Sequence, residues 1–254
     1  RLAARSLVFG VSRRRMILRA DLHMHSCLSP CGSLEMSPSA MAARAAELGL
    51  DVVALTDHNS ALNTPAFAAC CAEAGLVALF GLEVTTREEA HVLALFDAPA
   101  GALELSEWIY ERLPEILNDP EELGDQVYVD AREEILGTVD RVLTAATDVS
   151  VDELARRVSG AGGLFVPAHI DRPYFSLPSQ LGFLPDLPYD ALEITRLPCI
   201  IDTGGRPLIT SSDAHYLPDI GSGFTELECE RRDAAAVLRA LRSGAVVSLR
   251  PRFG

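Results

Sequence analysis

From residue 16 onward, short apolar runs alternate with segments whose apolar positions recur every three or four residues. The runs predict buried strands, and the longer spacing predicts amphipathic helices. Strands are predicted over 17–22, 51–56, 76–84 and 91–96, with helices over 38–48 and 64–74. Ser37 stands directly before Pro38 as the N-cap of the first helix. A helix over 103–117 follows, and then the pattern weakens. Residues 118–147 are acidic and poorly periodic, which predicts an excursion from the core with one short strand at 126–129. The alternation resumes with a helix over 151–159 and strands over 163–168, 190–195 and 207–212. A helix over 233–242 and a strand over 246–249 complete it. Strands alternating with helices imply an α/β fold with a mainly parallel sheet or barrel. In such folds the chemistry sits at the C-terminal ends of the strands.

The chain has 254 residues, 48% of them hydrophobic, enough for one large core. The expected organisation is an extension over 1–15 and a single domain over 16–254, with an insertion at about 98–150. The extension carries five arginines and no acid. It reads either as a targeting or membrane-surface segment or as a non-native or disordered stretch before a start at Met16. No apolar run is long enough to span a bilayer, so no membrane partner is expected. Six cysteines without a secretory pattern point to a reducing cytoplasm. The net charge of −14 repels polyanions over most of the surface, so no long duplex nucleic acid is expected as a partner. A small phosphorylated substrate stays admissible, because bound cations reverse the local field.

The six histidines narrow the chemistry. His23 and His25 follow the first predicted strand, His58 the second, and His169 and His215 follow later ones. His91 begins its strand and must reach the others from another direction. Glu83 ends a strand, and Asp213 stands two before His215. Residues two apart on an extended chain point to the same side, so His23 and His25, or Asp213 and His215, can converge on one ion. Imidazole with carboxylate suits zinc, manganese or iron. A lone His-x-His, or Asp57 beside His58, has a plain structural explanation as packing or a turn. The joint placement at strand ends does not. Neither a Gly-x-Ser-x-Gly elbow nor a Walker phosphate loop nor a dinucleotide fingerprint is present.

These residues, in this order, resemble a known family. Asp21-Leu-His-Met-His-Ser26, Thr56-Asp-His-Asn59, Gly81-Leu-Glu83, His91-Val-Leu93, Pro167-Ala-His169 and Ser212-Asp-Ala-His215 are similar to the motifs of the PHP (polymerase and histidinol phosphatase) superfamily. The resemblance implies a distorted (β/α)7 barrel, with a partly helical insertion, holding two or three divalent ions (Zn, Mn or Fe) at its mouth. By that pattern His23, His25, Glu83 and Asp213 hold one ion. Glu83 bridges to a second held by His91 and His169, and His58 and His215 hold a third. The family offers His or Asp in the loop after His25, where this chain has Cys31. Cys31 is therefore the expected loop ligand, with a free thiol as the alternative. Asp57 is expected to orient a ligand rather than bind metal itself.

The resemblance further implies hydrolysis of a phosphate ester by a metal-activated water. Asp213 or His215 is expected to move the proton. Arg172 and Arg196 are the candidate phosphate clamps, since guanidinium forks match phosphate oxygens. The expected substrate is a small phosphomonoester or nucleotide. The alternatives are a phosphodiesterase or exonuclease on short oligonucleotides, and a non-catalytic metal-binding regulatory module.

Overall fold

The computed structural model describes residues 15–253. The expectation for the arginine-rich extension therefore falls, apart from Arg15, outside the described residues. Arg15 is ion-paired with Glu228 at 2.6 Å.

The first half of the chain runs β1 (Met16–Asp21), α1 (Pro38–Glu47), β2 (Val52–Leu55), α2 (Thr64–Glu73), β3 (Val77–Thr85), β4 (His91–Phe96) and α3 (Pro99–Tyr110). The second half runs α4 (Pro120–Leu123), β5 (Val127–Val129), β6 (Ile135–Thr138), α5 (Val151–Gly160), β7 (Leu164–Pro167), α6 (Leu177–Leu181), β8 (Leu192–Glu193), β9 (Leu208–Ile209), β10 (Phe224–Cys229), α7 (Ala234–Arg242) and β11 (Val246–Arg250). Ser37 caps α1 as expected, accepting from the Ala40 N–H at 3.1 Å. The predicted helix over 103–117 starts earlier and stops earlier. Pro99 is pre-set for a first helical turn, and Pro114 disfavours helical backbone at the residue before it.

Seven strands form one curled sheet in the order β11-β10-β1-β2-β3-β4-β7. Only the β1–β2 and β2–β3 pairs are parallel. The other pairs are antiparallel, which corrects the expectation of a mainly parallel sheet. The expected strands over 190–195 and 207–212 shrink to the parallel pair β8–β9. That pair lies against β7 on one side and β11 on the other. It thus occupies the gap between the two edges of the sheet, giving the distorted barrel that the sequence implied.

Alternate residues separate two cores, as the period of a strand requires. Leu18 and Ala20 of β1, with Leu22 just after it, join Leu93, Leu95, Leu164 and Val166 in an inner core, to which α7 adds Val237 and Leu241. The opposite faces, with Val53, Leu55, Val92 and Ala94, pack under Phe67 of α2, Leu105 of α3 and Leu154 of α5. Gly81 lets β3 and β4 approach closely, since a Cβ there would collide with the Ala94 carbonyl. Helix α3 is part of this packing. The excursion after it carries its own small cluster, in which Leu113, Val139 and Leu143 pack on Leu28. No described helix is long and apolar enough to cross a membrane.

Candidate metal centre

The strand directions bring the histidines to one rim. His23 and His25 follow β1, and the His25 N–H donates to the Ala214 carbonyl at 2.9 Å. His58 bridges to Glu83 beyond the end of β2. Because β4 runs antiparallel to β3, with Thr85 opposite His91, the start of β4 lies at that same rim. Strand β7 runs antiparallel to β4 in turn, with Pro167 opposite Val92, and delivers His169 there. Asp213 and His215 follow β9. His169 and Asp213 both hold left-handed backbone, at φ 30° and 50°. Such conformations are uncommon for side chains with a Cβ and gather at functional sites.

The side chains converge on Glu83, which is almost wholly buried. Its Oε1 lies 2.9 Å from His91 Nδ1, 3.1 Å from His169 Nε2 and 3.3 Å from His23 Nε2. Its Oε2 faces His58 Nδ1 at 3.2 Å and His25 Nε2 at 3.3 Å. Asp213 Oδ1 stands 3.4 Å from His23 Nε2 and 3.2 Å from His25 Nε2. Burial works against the charge on Glu83, but the imidazoles of His91, His23 and His58 outweigh it and hold the carboxyl well below its ordinary range. Burial likewise opposes ionisation of Asp213, and His23 and His25 prevail over it. Burial, with His25 nearby, pushes His58 well below the usual imidazole range and His215 down to about 4. His23 and His25 shift the other way. Burial opposes their charge, but the carboxylates of Glu83 and Asp213, joined at His23 by that of Glu193, prevail over it. They hold His23 well above the usual imidazole range and His25 up to about 9. Neutral imidazoles and ionised carboxylates are the forms that ligate metal, so a cation bound there displaces a proton from each ring.

Three groups have donor atoms within 4.8 Å of one another: His23, His25, Glu83 and Asp213; His58, Glu83 and His91; and His25, His58 and His215. The donors fit divalent cations for a further reason. His23 Nδ1 donates to Glu193 and His25 Nδ1 to Ser29, so both Nε2 lone pairs face each other across 3.1 Å. Two lone pairs at that distance repel unless a positive charge, a proton or a metal ion, lies beside them. His58 Nδ1, His169 Nδ1 and Asp213 Oδ1 are also buried without hydrogen-bond partners, a costly state that bound cations relieve.

A second layer fixes the rings. Glu193 Oε2 accepts from His23 Nδ1 at 2.9 Å and from the His169 N–H at 3.0 Å. Asp57 accepts from Ser26 N, Ser26 Oγ and Ser29 Oγ, and so orients His25 through the Ser29 hydroxyl. Asn59 donates to the carbonyls of Leu143 and Ala145, tying the excursion to the loop after β2.

Cys31 belongs to none of the three groups and is exposed. Its loop is built of two consecutive turns, from Ser29 N to Ser26 O and from Gly32 N to Ser29 O. The protein around it desolvates the thiolate, and with the charges of Glu83 and Asp213 nearby this pushes the thiol up to about 12. His25 stands with His58 and His215 instead. Arg172 reaches the centre, with Nη1 2.6 Å from Asp213 Oδ2. Arg196 does not: its side chain is 60% exposed and lies 4.0 Å from Asp171. Glu193 was not among the expected site residues. Its position at the end of a short apolar run, like that of Glu83, was the available signal. A cavity of about 270 Å³ opens over the cluster, lined by His91, His169, Arg172, Tyr174 and Phe175 among others. Wider grooves of about 700 and 730 Å³ flank the excursion and contain no histidine.

Similar proteins fit this geometry. The uncharacterized protein YqxK of Bacillus subtilis is 36% identical over 103 residues, covering 35% of this chain and 26% of that protein. The lesion-specific endonuclease of Pyrococcus furiosus shares the fold, with a TM-score of 0.66 at 19% identity over 90% of this chain and 56% of that one. This chain thus spans about half of that enzyme's length. A two-domain protein of Bacteroides vulgatus, containing a predicted PHP-like metal-dependent phosphoesterase, follows with a TM-score of 0.55 at 17% identity, over 91% of this chain and 64% of that one. Endonuclease Q has also been seen in complex with a 27-mer duplex that places an abasic lesion at its active site. That complex overturns the expectation that long duplex nucleic acid is excluded. Net charge sums over the whole surface, whereas the field at a bound phosphate is set locally. Residues 201–246 match the PHP-associated family model, and residues 21–175, more than half of the chain, match that of the PHP domain. The chain belongs to the PHP-domain family.

Proposed function

We propose that this metal-dependent hydrolase cleaves phosphodiester bonds in nucleic acid strands. The observation that carries the reading is the division of Glu83, whose two oxygens face different sets of imidazoles as a carboxylate shared between ions does. His23, His25, Glu83 and Asp213 would hold one cation, and Glu83 with His91 and His169 a second. His58 and His215 would serve a third. Zinc, manganese and iron suit this donor set. Bound there, such ions supply positive charge for phosphoryl oxygens and acidify an attacking water.

The chain's own groups do the rest. Arg172 lies at the mouth with one guanidinium nitrogen on Asp213 and the remaining donors available to a phosphate. Asp213 thereby holds the clamp in place as well as facing the cluster. The His215 Nδ1 donates to the Asp213 carbonyl at 3.0 Å, which leaves one lone pair, on Nε2, for a third cation or, where only two ions bind, for the proton. Nucleic acid is favoured over other phosphoesters by the fold shared with the lesion-specific endonuclease.

The test is a panel of oligonucleotide diesters and small phosphomonoesters, assayed after loading with Mn, Zn or Fe. Diester cleavage abolished by a chelator and restored by metal is expected. Full activity in His25→Ala, or no diester cleavage by metal-loaded protein, would sink the reading.

A further inference from the structure

The mouth carries a feature that metal binding does not use. One turn, residues 169–176, delivers His169, Arg172, Tyr174 and Phe175 in sequence to the same cavity. It is pinned throughout. The Arg172 N–H donates to His169 O at 2.9 Å, and Ser176 Oγ to Arg172 O at 2.8 Å. Asp171 accepts from the backbone N–H groups of Thr195 and Arg196. The Phe175 carbonyl accepts from the His91 N–H at 2.8 Å. Phe175 also holds left-handed backbone at φ 54°, which is a true outlier for a bulky residue. Its ring stacks on His91, with centroids 4.7 Å apart and planes 15° from parallel. Beside it, the Tyr174 side chain is left largely in solvent, the residue being 72% exposed.

A strained, well-anchored turn that presents an unburied aromatic ring over a cavity gains nothing for the core. It is suited to a flat ligand. We propose that Tyr174, with the outer face of Phe175, is a stacking platform for the nucleobase next to the scissile phosphate. The inference rests on the phosphodiester reading and narrows it to strands whose base is unstacked at that position. The order along the turn matches the order along a nucleotide. His169 faces the metal cluster, Arg172 stands at the mouth beside Asp213 as the proposed phosphate clamp, and the aromatic pair follows along the same cavity wall. Aromatic stacking tolerates every base, because each has a π face. A cavity of about 270 Å³ lies at the small end of ligand-site sizes, which favours a single unstacked unit over a base pair.

The probe is a single-stranded oligonucleotide bearing 2-aminopurine at one position, beside a twin with a tetrahydrofuran abasic unit there. Binding is read with and without added Mn, by fluorescence quenching for the first strand and by competition for the second. Hydrolysis of both is followed separately. Tyr174→Ala is expected to weaken binding of the base-bearing strand about tenfold and to remove the quench. It should raise KM with little change in kcat, and leave the abasic strand as in the wild type. Tyr174→Trp should restore the quench. Phe183→Ala, which removes an exposed ring outside this cavity, should change neither strand. Equal effects of Tyr174→Ala on both strands, or none on either, would overturn the platform. A Tyr174-dependent quench without hydrolysis of either strand would support the platform while sinking the phosphodiester reading.

Discussion

Glu193 accepts a hydrogen bond from His23 Nδ1 at 2.9 Å, and this one contact decides which nitrogen of His23 faces the cluster. The carboxylate can only accept, so a proton stays on Nδ1, and Nε2 is the nitrogen turned to Glu83 and Asp213, where a cation would take the place of its proton. Glu193→Ala should lower metal affinity about 10- to 100-fold while the fold persists. Glu193→Gln keeps one acceptor oxygen and should fall between. Competition with a metal-binding dye, alongside circular dichroism, gives both quantities. Unchanged affinity in the alanine variant would show that the contact is dispensable.

Glu83→Gln removes the charge shared by the facing imidazoles. The metal content per chain should fall, and turnover should drop at least about 10²- to 10³-fold, as when a preorganised charge is lost at a transition state. Elemental analysis with steady-state assays checks this. Wild-type stoichiometry in the variant would refute the shared role.

Cations that bind only the folded chain must stabilise it. With metal at about 100 times its dissociation constant the gain is about 2.7 kcal/mol. Chelation should therefore lower Tm, and titrating metal back should raise it in a concentration-dependent way. The increment should shrink in His25→Ala. A Tm indifferent to chelator would count against binding at this centre.

Arg172 and Arg196 should separate cleanly. Arg172→Ala removes a charged donor at the mouth and leaves Asp213 without its 2.6 Å partner. A loss of about 10- to 150-fold in kcat/KM is expected from a charge-assisted hydrogen bond worth about 1.5–3 kcal/mol. Arg196→Ala, at an exposed side chain, should stay within about twofold. Comparable losses in the two variants would contradict the assignment.

Gly81→Ala tests the scaffold beneath Glu83. The added methyl meets the Ala94 carbonyl, and β3 and β4 must part to admit it. Destabilisation of about 1–3 kcal/mol is expected from overpacking. Urea unfolding monitored with the single tryptophan, Trp108, would measure it.

Much of the centre was legible because its histidines follow apolar runs, and strand ends are where side chains of different strands meet. His91 was the exception that the sequence could not place. It begins a strand, and only the antiparallel course of β4 explains why a strand start reaches the shared rim. Strand direction leaves no mark in a short apolar run, which is also why the sheet was expected to be mainly parallel. Strand β10 was missed for another reason. Its Phe-Thr-Glu-Leu-Glu-Cys alternates correctly, with Thr225, Leu227 and Cys229 inward, but two acids on the outer face make it resemble a surface loop. Glu193 follows only two apolar residues, Ala191 and Leu192, so its likeness to Glu83 at the end of a long apolar run was a faint signal. Cys31 stands apart: a family position singled it out, but it joins none of the three donor groups, because the turns that set its distance from them depend on neighbours the motif does not specify.

The β8–β9 pair fills the gap between the two ends of the curled sheet, and that seam has a thermodynamic consequence. Glu193 lies on β8 and Asp213 comes soon after β9, whereas His23, His25, Glu83 and His91 belong to the continuous sheet and its rim. A cation held by Asp213 and the sheet's residues, with Glu193 steadying His23, is a clasp across the joint where the strands are shortest. Loading it should deepen the local free-energy well of the seam far more than that of the sheet. The apo protein would then breathe along one line, and metal occupancy would be legible as slowed amide exchange confined to that line.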